Sequence, residues 1–192
     1  MNHIYKQSKG ICTAYAFANA YEKLTGKVLT EEEIWELFKE SGGSDDPSER
    51  EGAISYPDIL VTAQQKGLIK SFKKVYFNPA IHLKKSLAKA QELHEGKMGI
   101  FGALEARKKN HAVVLGIWIP SGGLKLTTTG YPLAGDLKGY HAVHLYRMGL
   151  DKRRTVYIVE NSWGPKWGLD GLFKMTESDF DRMVRETYII TK

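Results

Sequence analysis

The chain has 192 residues, 42% hydrophobic and 26% charged, enough for one core or for two small lobes sharing an interface. No apolar run approaches the roughly 20 residues of a membrane span, and the opening MNHIYKQSKG has neither the apolar stretch nor the small-residue cleavage pattern of a signal peptide, so a cytoplasmic protein is expected. The single cysteine, Cys12, excludes an internal disulfide and the common cysteine zinc sites, and no cofactor or metal is expected.

The net charge of +6 is unevenly spread. Residues 1–65 carry 6 basic and 11 acidic groups, residues 66–109 carry 11 and 3, and residues 110–192 carry 11 and 8. The basic segment 66–109 is a candidate docking surface for a protein partner. Its lysines Lys84, Lys85 and Lys89 fall among apolar positions of a predicted helix, as on any solvated face, which argues against nucleic acid.

Alanines, Phe17, Tyr21 and Leu24 recur at helical spacing after Cys12 and stop at Gly26, so Cys12 falls at or near a helix N-terminus. LTEEEIWELFKESGG has a Thr cap, three glutamates in its first turn and a terminating glycine pair, and predicts a second helix. SDDPSEREGA reads as a loop, SYPDILVTAQQKGLI as a third helix closed by Gly67, and NPAIHLKKSLAKAQELHEG as a fourth. From about residue 110 the pattern changes to short β-rich runs: HAVVLGIWI, YHAVHLYRM, TVYIVENSW and LFKM. A helical half followed by a strand half predicts an α+β protein of two lobes, about 1–107 and about 108–192, with a cleft between them.

A lone cysteine is ordinarily core, a lone histidine a satisfied packing residue and a lone asparagine a turn former. Their company changes the reading. A cysteine nucleophile is held as thiolate by the partial positive charge of a helix N-terminus and by a neighbouring imidazolium, and that imidazole needs an orienting group. GYHAVHLY and ENSW are twenty residues apart, so they can form adjacent antiparallel strands with His141 and Asn161 side by side. NSWGPKWGLDGLF adds two tryptophans and three glycines, more bulk and backbone freedom than a solvent-facing strand needs.

GICTAYAFANAYE, EGAISYPDILVTAQQKGLI, GYHAVHLY and NSWGPKWGLDGLF, in that order, resemble the nucleophile helix, substrate wall, histidine strand and asparagine strand of the papain-family cysteine peptidases. The resemblance covers nearly the whole chain. It implies a papain-like two-lobe fold with a barrel-like second lobe and a polypeptide substrate. It further implies Cys12 as nucleophile, His141 as general base and acid, Asn161 as the group that fixes the imidazole, and Trp163 as the cover over that pair. The oxyanion donors would be the Cys12 backbone N–H and Gln7, although Gln7 precedes Cys12 by five residues, one fewer than the family pattern. Gly52 and Ala53 would line the substrate wall, keeping only one of its glycines. His111 also begins an HAV triplet but lies fifty residues before Asn161, and His144 faces the opposite side of a strand from His141, so it is expected to be packed or exposed.

Thr13 stands where the family has a tryptophan, and only eleven residues precede Cys12, so control by an inhibitory propeptide is not expected. Bacterial and viral members show such trimmed patterns, which for a phage protein would extend the location to the virion. The implied activity is that of an endopeptidase acting through a thioester acyl-enzyme. A glutamine deamidase or transamidase on the same triad, or a catalytically silent binding component of a larger assembly, remain the alternatives.

Overall fold

The computed structural model describes residues 3–7, 10–44, 54–75, 111–152 and 154–192. Helix α1 (Cys12–Thr25) ends at Gly26, whose φ of 73° lets its N–H turn back to the Glu22 carbonyl. Its alanines at 14, 16, 18 and 20 are buried with Tyr15 and Phe17, and the small side chains let the helix lie close on the sheet. Helix α2 (Glu31–Glu40) opens with a reciprocal cap: Thr30 Oγ1 accepts from the Glu33 N–H at 3.2 Å and the Glu33 carboxylate accepts from the Thr30 N–H at 2.8 Å. Helix α3 (Tyr56–Gln65) is capped in the same way by Ser55 and Asp58, with proline in its first turn.

Among the described residues six strands form one antiparallel sheet: β1 (Ser71–Val75), β2 (His111–Pro120), β3 (Leu137–Asp151), β4 (Arg154–Glu160), β5 (Leu172–Met175) and β6 (Val184–Thr191). Their spatial order is β1-β6-β2-β3-β4-β5. Between β5 and β6 lies a short helix, α4 (Glu177–Met183), capped by Thr176 and Asp179. The sheet separates two apolar clusters because alternate residues point to opposite faces. Ala112, Val114, Ala142, Tyr188 and Ile190 pack under α1–α3, whereas Leu115, Ile117, Val143, Tyr157 and Phe173 pack with α4 on the other side.

The helices expected after Cys12, Thr30 and Ser55 and the four expected strand runs are all present. Three elements went unread. β1 is the edge strand SFKKV with little buried surface, α4 is only 7 residues long, and β6 mixes charged and apolar residues because its neighbours cover both faces. The fourth expected helix, over 78–96, lies outside the described residues, as do Gly52, Ala53 and most of the basic segment 66–109. No described helix is long and apolar enough to cross a membrane.

Candidate active site

Cys12 is the first residue of α1, so its backbone N–H belongs to the first-turn donors that helix geometry leaves without an intrahelical carbonyl. The N-cap position is Ile11, which brings no side-chain acceptor to these donors. The thiol is half-buried, and α1 lies against β3, where the backbone N–H of Ala142, the residue after His141, hydrogen-bonds the Cys12 sulfur.

His141 and Asn161 come from neighbouring strands, as their spacing suggested. β3 and β4 pair antiparallel with His144 opposite Glu160, and the chain leaves the sheet at Asn161. His141 Nε2 lies 2.7 Å from Asn161 Oδ1, and both residues are buried. Oδ1 also accepts from the Ser162 N–H at 2.8 Å. A carbonyl oxygen only accepts, so Nε2 carries the proton and Nδ1 is left as the basic nitrogen. The Trp163 ring stacks on the imidazole at 4.7 Å between centroids and 28° between planes, and is itself held edge-on by Trp167 at 5.0 Å.

The segment Tyr5–Gln7 runs antiparallel to Ser162–Gly164. The Gly164 N–H donates to the Tyr5 carbonyl at 3.0 Å, the Gln7 N–H donates to the Ser162 carbonyl at 2.6 Å, and Lys6 is bridged to Trp163. The Ser162 hydroxyl donates to Gln7 Oε1 at 2.8 Å, which leaves the Gln7 amide nitrogen as the donor end of that side chain. Gln7 is thus tied to the asparagine turn rather than facing solvent alone. Ser162 had no signal in the sequence beyond its place next to Asn161.

The other two histidines fall elsewhere. His111 opens β2, six positions before Ile117, the residue opposite His141, which at strand rise puts it about 20 Å away along the sheet. His144 is packed on the opposite face of β3 from His141, and its partner is Glu160.

The electrostatics differ from the expected thiolate–imidazolium pair. Burial pushes the Cys12 thiol above its ordinary range, a rise that the Ala142 and Thr13 backbone N–H groups only partly oppose. Burial also pulls His141 down from 6.5 to about 4, against the opposing hydrogen bond of Asn161. Desolvation disfavours the charged form of each and so opposes that pair. Among the described residues no group of three or more His, Cys, Asp or Glu side chains is placed to hold a metal ion.

Residues 124–190 match the model of the papain family cysteine proteases. The chain is 42% identical over 53 residues to the cathepsin B-like CP2 of Giardia intestinalis, a match covering 27% of this chain and 18% of that protein. It is 47% identical over 38 residues to cysteine proteinase 3 of Dictyostelium discoideum, covering 20% and 11%. The matches thus span less than a fifth of these relatives' length. Among solved structures, the digestive procathepsin L2 proteinase of Tenebrio molitor superposes with a TM-score of 0.58 at 16% identity, over 98% of this chain and 64% of that one. The procathepsin B S9 of Trypanosoma congolense gives 0.57 at 13% identity, over 98% and 71%.

Proposed function

We propose, from the premise that this is a papain-family chain by its fold and by the match over residues 124–190, that it is a cysteine endopeptidase in which Cys12, His141 and Asn161 act together. The observation that carries the reading is the buried 2.7 Å contact from His141 Nε2 to Asn161 Oδ1 beneath Trp163. It spends one ring nitrogen on orientation and leaves Nδ1 to take a proton from the thiol. Desolvation of both groups favours thiol and neutral imidazole at rest, and the order of events follows from that. As the Cys12 sulfur attacks a peptide carbonyl, its proton passes to His141, and the new imidazolium is steadied by Asn161. The developing oxyanion meets the Cys12 backbone N–H at the start of α1 and the Gln7 amide. His141 then protonates the leaving amine, and the thioester left on Cys12 is hydrolysed by a water that His141 activates. The cytoplasm or a virion as location, and a protein partner for segment 66–109, remain parts of this reading that rest on composition alone.

A vinyl-sulfone or epoxide probe combined with an unstructured protein substrate tests the reading. Labelling at Cys12 and new N-termini that vanish in Cys12→Ala are expected. Ammonia release without chain cleavage would move the activity to a deamidase on the same residues. A folded protein that neither labels nor cleaves would make the domain a silent binding component.

A further inference from the structure

β3 carries a second buried histidine whose surroundings the chemistry above does not use. His144 Nδ1 lies 2.8 Å from Glu160 Oε2, and the two residues are 0% and 1% exposed. Burying an ionisable pair is costly in desolvation, and an apolar pair of the same volume would pack at least as well, so such a pair is better suited to fixing a register than to adding stability. Its place is specific. His144 and Glu160 stand opposite each other in the last β3–β4 pair before the chain leaves the sheet, and the next residue is Asn161. A slip of one residue here would turn both polar groups to the other face, and Asn161 with them.

The pair also faces the nucleophile helix. Cys12 lies against Ala142, and Lys23 Nζ sits 4.7 Å from the Tyr146 ring centroid, so the stripe Cys12, Ala16, Asn19, Lys23 runs along the β3 face formed by Ala142, His144 and Tyr146. Asn19, midway along that stripe, is 2% exposed, and neither its amide oxygen nor its amide nitrogen has a hydrogen-bond partner among the described residues. His144 Nε2 is likewise buried and unpartnered. A carboxylate accepts, so Nδ1 is the donor toward Glu160. The His144–Glu160 pair is therefore the hydrogen-bonded polar contact in an otherwise apolar interface between β3 and β4.

We propose that Glu160 and His144 are positioning residues: they lock the end of β4 against β3, and so hold Asn161 where it can orient His141. This rests on the triad reading above. The experiment follows the His141 Nε2–H proton by NMR, together with kcat and KM, in Glu160→Gln, Glu160→Leu and the double variant His144→Leu/Glu160→Leu, which leaves no charge buried alone. Glu160→Gln keeps an acceptor for His144 and should retain the proton signal and turnover. Glu160→Leu and the double variant should lose the signal's protection from exchange, with kcat falling about 10²-fold and KM little changed, the cost expected of a misplaced reacting group. In an Asn161→Ala background, Glu160→Leu should add nothing further, because it acts through Asn161. The proposal is overturned if the double variant keeps signal and kcat, or if the losses from Glu160→Leu and Asn161→Ala multiply. A wild-type protein that neither cleaves nor labels would sink the peptidase reading, while the NMR arm would still decide the positioning role.

Discussion

Asn161 Oδ1 accepts two hydrogen bonds at once, from His141 Nε2 at 2.7 Å and from the Ser162 N–H at 2.8 Å, so the ring orientation is fixed by an amide that its own backbone holds still. Replacing Asn161 by Ala removes the orienter but leaves the imidazole. Turnover should then fall by about 10²-fold while KM stays within a small factor, since the loss is one of alignment. Steady-state kinetics on a peptide substrate would check this; a rise in KM at unchanged kcat would place Asn161 in substrate binding instead.

The buried neutral His141 makes stability depend on pH. Its folded-state pKa of about 4 lies below the 6.5 of the free group. The unfolded chain therefore binds the proton first, and stability is lost as pH falls from about 6.5 through about 4. At 1.36 kcal/mol for each unit of pKa, the loss attributable to this residue is about 3 kcal/mol. Urea unfolding at pH 7 and pH 4 should show the drop in the wild type and a smaller one in His141→Gln. Equal drops in both would assign acid sensitivity to other groups.

Burial raises the Cys12 thiol, so its alkylation by iodoacetamide should have a midpoint at or above about 8.5, the ordinary cysteine value. His111→Ala should leave the profile in place, because His111 sits at the far end of β2. A midpoint well below 8.5 that rises in His141→Ala would show that mutual attraction of thiolate and imidazolium outweighs the desolvation of each.

Gly171 supports Asn161 from behind, its carbonyl accepting the Asn161 N–H at 3.0 Å. Its φ is 82°, and a Cβ there would meet Ile4 Cγ2 at 2.4 Å. Gly171→Ala should destabilise the fold by about 1–3 kcal/mol through backbone strain and should displace the N-terminal segment that carries Gln7. Thermal melting and the rate of Cys12 labelling, measured together, would test this; a variant unchanged in both would show that the turn and Ile4 adapt freely.

The triad candidates were legible because each lies in a motif whose residue types are uncommon together, and because twenty residues is a spacing that adjacent strands can close. The helix cap at Thr30 was legible for a local reason, since a side chain three residues away completes it; the Ser55–Asp58 cap carries the same local signal and went unread. The TESD stretch before α4 carries the same signal and could have been read. β1 and β6 could not, because the feature that makes SFKKV a strand is its pairing with residues 187–191, more than a hundred positions away.

What the amino-acid order by itself determined is therefore local and chemical: one thiol at a helix start, a histidine and an asparagine on runs of strand-forming residues, and caps that begin and end the helices. What only the tertiary structure decided is nonlocal. It turned His144 inward onto Glu160. It bound Gln7 to Ser162 across 155 positions, and it set the burial that disfavours charge on thiol and imidazole. The physical reason is that hydrogen-bond register and desolvation belong to neighbours in space, and a pattern of residue types along the chain carries neither.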